Sequence, residues 1–197
     1  MNLSRKHAMA DPSIRKKPFA IAVQPDRRRG EQEMKKRVLF EGADHTNMLP
    51  CFRRLVIETG IRKQENLIFA GCEGPCYSMA TFFSFAIRDL NLSLYFAADA
   101  KLEQIRRLEY VKGVGMVATE REKPVKSKVL VLMSGLVHVP FENTLSLVRE
   151  VLGEEGIIIG ETVVPGLFEE KEWHTRIPFR YIFEFSMRNP TVYKMEE

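Results

Sequence analysis

The stretch "NLIFAGCEGPCYSMATFFSFAIRDL", residues 66–90, decides the fold. Asn66 to Gly71 is a continuous apolar run rather than an alternating one, which is what a strand covered on both faces requires. From Pro75 the residues "PCYSMATFFSFAIRDL" carry no charge until Arg88 and read as a central, well-buried helix. Proline suits a first helical turn, where its missing N–H has no partner to lose. A buried strand that turns through Gly71 and Gly74 into a helix is the start of a βαβ unit. Arg88 and Asp89 end the run short of the ~20 apolar residues that cross a bilayer, so no membrane association is expected.

Working outward, the same alternation continues. Upstream, "NMLPCFRRLVIETG" sets Met48, Cys51, Phe52, Leu55 and Val56 on one helical face. Downstream, 92–98 is a second strand and "DAKLEQIRRLEY", 99–110, an amphipathic helix with Asp99 as its N-cap. Residues 113–119 give a third strand, 128–135 a fourth, 142–153 a helix, 156–164 a fifth strand and 181–187 a sixth. Alternating strands and helices with unbroken apolar strands predict an α/β fold: a single doubly wound, mainly parallel sheet with helices on both faces. The Rossmann-like order 3-2-1-4-5-6 is favoured, because the nine residues 120–128 reach about 30 Å when extended, enough to cross the sheet without a helix. The flavodoxin-like order 2-1-3-4-5 is the alternative if 113–119 is peripheral.

Charge divides the chain. The formal net charge is +4 over 197 residues, but residues 1–37 hold eleven Lys and Arg against Asp11, Asp26, Glu31 and Glu33, a net of +7; the remaining 160 therefore carry −3. The expectation is a basic, partly disordered extension over 1–37 and one α/β domain over 38–197. Nucleic acid is not an expected partner except through that tail, where Arg27, Arg28 and Arg29 attract phosphate without reading sequence. The first twenty residues hold charges but no apolar core, so no secretory signal is expected, and three cysteines fit a reducing, cytoplasmic compartment.

In open α/β sheets ligands bind beyond the carboxyl ends of the strands. That rule selects Gly71 through Cys76, Asp99, Ser134 and Gly135, His138, and Glu161 with Thr162. Of three readings of the Gly71–Cys76 turn, the leading expectation is a site for a small anionic ligand, a nucleotide or phosphate-bearing cofactor. As a phosphate cradle, Gly71 and Gly74 admit an anion to the helix N-terminus, Asp99 stands where a ribose-binding carboxylate stands, and Ser134 and Gly135 let a ligand near the backbone. The loop is neither G-x-G-x-x-G nor a Walker A motif, however, and no cofactor is named by it. As a thiol site, Cys76 at the helix start is placed for thiolate stabilisation and Cys72 for facing the crevice, with His138 as a candidate base. The spacing C-x-x-x-C matches neither thioredoxin-like sites nor zinc knuckles, so it favours neither redox exchange nor a metal. A cysteine hydrolase with Cys76 at the serine position of a nucleophile elbow in "GPCYS" is the other form of the thiol reading. As a tight turn, the segment does nothing but reverse the chain. Trp173 and His174 are read either as a lid over the crevice or as an anchor for their loop, and Glu161 as a binder of a ligand hydroxyl. A homodimer using the helix Tyr77–Leu90 is a further expectation.

The segments "FAGCEGPCYSMATFFSFAIRDL", "VKGVGMVATE", "VLVLMSGLVHVPFE" and "PGLFEEKEWHTRIPF", in this order, resemble a domain-of-unknown-function family of archaea, mainly methanogens. The resemblance covers roughly residues 45 to 190. It implies a compact α/β protein with a Rossmann-like or flavodoxin-like sheet and a glycine and cysteine turn at Gly71 to Cys76. No catalytic residue is carried over by it.

Overall fold

The computed structural model describes residues 36–124 and 126–185. Strand β1 (Asn66–Gly71) is apolar throughout because both its faces are covered: Leu67 and Phe69 enter one core, Ile68 and Ala70 the other, and all four are fully buried. Parallel to it run β2 (Ser93–Ala98) on one side and β5 (Ser127–Met133), β6 (Leu152–Thr162) and β7 (Phe179–Glu184) on the other. Strands β3 (Ile105–Val111) and β4 (Gly115–Arg121) form an antiparallel hairpin beyond β2, giving the order β4-β3-β2-β1-β5-β6-β7. The mainly parallel α/β sheet and the favoured strand order are thus borne out, with one unforeseen strand inserted between the second and third.

Helices cover both faces. On one lie α1 (Met48–Glu58) and α2 (Pro75–Ala86), which bury Phe52, Leu55, Val56, Ala80 and Phe83 against Leu67 and Phe69. The rings of Phe52 and Phe83 stack with centroids 4.4 Å apart. On the other lie α3 (Phe141–Val151) and the single turn α4 (Leu167–Glu170), which bury Leu145, Leu147, Val151 and Phe168 against Ile68, Leu130 and Leu132.

Two expectations are corrected. Helix α2 is not central: it buries Cys76, Ala80, Phe83 and Ser84 but leaves Phe82 47% and Phe85 37% exposed, with Phe85 beside Tyr110 of β3. Residues 99–110 are not a helix capped by Asp99. Asp99 and Ala100 both take left-handed dihedrals, φ +52° and +55°, and Lys101 N–H bonds to Ala98 O, so the chain turns back and continues, after a short 3-10 turn, as β3. Leu102, Ile105 and Leu108 are spaced by three, which suits a helix face. In the strand, Ile105 and Leu108 instead point to opposite faces and enter the two different cores.

The crossover from β4 to β5 is shorter than expected, spanning only residues 122–126. Tyr95 of β2, which enters the core on the α3 side, donates its hydroxyl to Glu122, and Asn66 of β1 donates Nδ2–H to the Lys126 carbonyl. The expected basic extension lies outside the described residues except for Lys36 and Arg37; Lys36 pairs with Glu169 and with Glu184 at 2.7 Å. No helix among the described residues is long and apolar enough to cross a membrane.

Candidate functional site

At the carboxyl edge of the sheet the chain leaves β1 at Gly71 and enters α2 at Pro75. Between them Cys72 is half-buried while Glu73 and Gly74 are exposed. Gly74 has φ +81°, a conformation that L side chains adopt only at a cost, and no side chain caps the start of α2. Cys76, in the first turn of α2, is buried. Both cysteines are free thiols, and Cys72 Sγ lies 3.1 Å from Cys76 Sγ.

Two glycines make that meeting fit. A Cβ on Gly71 would overlap Cys76 and come within 3.2 Å of the Met133 Cβ, and a Cβ on Gly135 would overlap both sulfurs. The thiol pair therefore fills the space that two absent side chains leave between the β1–α2 turn and the 3-10 turn Ser134–His138 after β5. Burial pushes the Cys76 thiol up from the ordinary 9.0 to about 12; its hydrogen bond with Cys72 adds to this, while the N–H groups of Cys72 and Gly135 that face its sulfur act the other way. Cys76 thus keeps its proton at neutral pH. Cys72 is the more exposed residue of the two.

A carboxylate is buried on the same face. Glu161, 2% exposed, stands near the end of β6 with Met133 of β5 and Phe183 of β7 as its register partners. It follows Ile159 by two residues, and Ile159 belongs to the core that holds Cys76. Burial pushes Glu161 up from the ordinary 4.5 to about 7, and the Ser134 N–H that faces it acts in the opposite direction. It takes part in none of the ion pairs among the described residues.

Of the residues selected from sequence, the structure brings together Gly71, Cys72, Cys76 and Gly135. Ser134 is half-buried and begins the 3-10 turn that carries Gly135 to the thiols. Asp99 donates its N–H to the Gly71 carbonyl, which fixes it beside the turn, but its carboxylate is held by Lys101 at 3.2 Å. His138 is exposed, and among the described residues no hydrogen bond joins it to either thiol. Trp173 is an anchor and not a lid: it packs between Phe141 and Phe168 in the core on the α3 side, and His174 Nδ1 lies 3.4 Å from the Phe168 carbonyl. A concavity of about 980 Å³ between residues 36–45, α1 and β7 contains none of the selected residues. Sequence reasoning assigned Glu161 to a ligand hydroxyl. The signal it missed is a carboxylate at the end of "GIIIGET", where the strand is still covered on both faces.

The comparisons with known proteins agree with this fold and carry no activity. An uncharacterized protein of Methanocaldococcus jannaschii is 29% identical over 139 residues, which is 70% of this chain and 82% of that protein. A crystal structure of a protein of unknown function from Methanothermobacter thermautotrophicus superposes with a TM-score of 0.69 at 25% identity, covering 82% of this chain and 99% of that one. Residues 45–188 match a family model described as an uncharacterized protein conserved in archaea (DUF2124), and the chain belongs to that family.

Proposed function

We propose that the protein acts through a dithiol–disulfide couple at Cys72 and Cys76. The observation that carries this reading is the 3.1 Å contact between two free thiols of unequal burial at the carboxyl edge of the sheet. Cys72, as thiolate, attacks one sulfur of a disulfide R–S–S–R′ supplied by a small thiol or a partner protein, forming a Cys72–S–S–R bond and releasing R′S⁻, which takes up a proton. The Cys76 sulfur, on losing its proton, attacks Cys72 Sγ and releases RS⁻. The sum is one disulfide reduced, two thiols released and a Cys72–Cys76 disulfide formed; run backwards, the same steps oxidise a partner's dithiol. Cys76, with its proton held by burial, suits the resolving role, and its S–H stabilises charge on Cys72 by donating to it.

The alternative of a small anionic ligand at the start of α2 has in its favour the left-handed Gly74 and the uncapped helix end. Against it, the space between this turn and Gly135 is taken by the two sulfurs. The thiol reading is tested by alkylation with iodoacetamide at neutral pH, followed by peptide mass analysis. Cys72 is expected to react much faster than Cys51, which is also half-buried. Equal or negligible labelling of Cys72 removes the reading.

A further inference from the structure

Glu161 is a buried carboxylate to which the thiol reading assigns no part. A carboxylate that is 2% exposed and lacks an ion pair among the described residues costs stability, since burial penalises its charged form and no cation offsets the penalty. Its surroundings point toward the thiols. The turn Ser134–His138 leaves β5 directly after Met133, the register partner of Glu161, and carries Gly135 against both sulfurs. Both groups lie on the α2 face at the carboxyl edge of the sheet, and Met133 separates them: it is the register partner of Glu161, and its Cβ sits beside Gly71, on which Cys76 packs.

We propose that Glu161 is a positioning residue that sets how the reactivity of the Cys72–Cys76 pair depends on pH, acting through the charge it places at the same buried edge of the sheet. The inference rests on the thiol reading above. Two negative charges at one buried edge, a Glu161 carboxylate and a Cys72 thiolate, disfavour each other. When Glu161 is neutral, thiolate forms without that repulsion; when it is ionised, thiolate formation is suppressed. From Glu161 to the sulfurs is about two strand spacings, ~10 Å, and at an effective dielectric of ~20–40 the suppression is between roughly fourfold and fifteenfold.

Few other groups compete for this role. The side chains beside Glu161 in the sheet, Met133 and Phe183, do not titrate. Packed on the same core are Cys72, Cys76 and Tyr77 from the β1–α2 unit, Cys51 from α1 and Tyr181 from β7. Asp44 and His45 precede α1, where Asp44 is engaged by Thr46. Glu184 and Glu169 are held by Lys36.

The test compares wild type with Glu161→Gln, which keeps the shape and removes the charge. The rate of Cys72 alkylation by iodoacetamide is measured from pH 5 to pH 9 in the full chain, with circular dichroism as the check on folding. The expected result is equal rates below about pH 6 and a variant that reacts several-fold faster above about pH 8, the ratio rising through the range in which Glu161 ionises. A ratio that is constant across pH, even if it differs from one, overturns the inference and leaves Glu161 a packing element while the thiol reading stands. Absence of Cys72 alkylation in both folded proteins overturns the thiol reading and this inference with it. Cys72 alkylation in Glu161→Asp should follow the wild-type profile in shape, because the charge returns.

Discussion

Replacing Glu161 by Gln should stabilise the protein at alkaline pH and do so much less in acid. Folding raises the Glu161 carboxyl from the ordinary 4.5 to about 7, so the folded state holds a proton that the unfolded chain releases. Below about pH 4.5 the group is protonated in both states and costs nothing. As pH climbs from there toward 7, the unfolded chain gains an ionised, solvated carboxylate that the fold does not welcome, and stability falls. Above 7 the fold carries the buried charge, and the loss is complete. The gap between the two values, at ~1.4 kcal/mol per pH unit, amounts to roughly 3 kcal/mol. Gln has no charge to titrate, so its cost or benefit is the same at every pH, and titrating groups remote from Glu161 cancel between the two proteins. Urea unfolding of both proteins at pH 4.5 and pH 8, in reductant, reads the difference directly. The variant's stability relative to wild type should be higher at pH 8 than at pH 4.5 by about 3 kcal/mol. A relative stability that does not change with pH would show that Glu161 is either solvated or paired, and the burial reasoning would be wrong.

Three further substitutions probe the site and the core. Gly135→Ala places a Cβ onto both sulfurs, so it should cost about 1–3 kcal/mol in urea unfolding and separate the thiols, seen as faster alkylation of Cys76. Gly74→Ala meets no atom within 4 Å but must adopt φ +81°, and it should cost ~1–2 kcal/mol while leaving the far-ultraviolet spectrum unchanged. Phe52→Ala removes a fully buried ring stacked on Phe83 and Phe69, and should lower stability by about 3–5 kcal/mol in the same unfolding assay.

Much of the sheet was legible because β1, β2, β5 and the inner part of β6 are buried on both faces and therefore lack polar interruption. The start of α2 at Pro75 was legible for a local reason, the position that proline tolerates. Strand β3 was not legible, since an edge hairpin half-covered by α2 needs only Ile105 and Leu108 to be apolar, and their spacing also suits a helix. The turn before it gave no warning, because Asp99 and Ala100 take dihedrals for which glycine or asparagine is the usual signal. At the site, the turn from Gly71 to Cys76 could be singled out from sequence. The contact of its two sulfurs could not, because it depends on Gly135, a residue remote in sequence that β5 delivers to the same edge. Asp99 and His138 were selected by the same strand-end rule, yet a strand end fixes where a residue stands and leaves open which way its side chain turns.

The disulfide itself is the most direct measurement. Tryptic cleavage after Lys63 and Arg88 releases residues 64–88, a peptide that holds Cys72 and Cys76 but not Cys51. Folded, reduced protein is equilibrated with oxidised and reduced glutathione in graded ratios, quenched in acid, alkylated and weighed. A Cys72–Cys76 couple predicts that this peptide becomes lighter by two hydrogen atoms along a single two-electron redox curve, with Cys51 remaining available to alkylation throughout. A peptide that takes up two alkyl groups at every ratio, or carries glutathione without closing the internal bond, would contradict it.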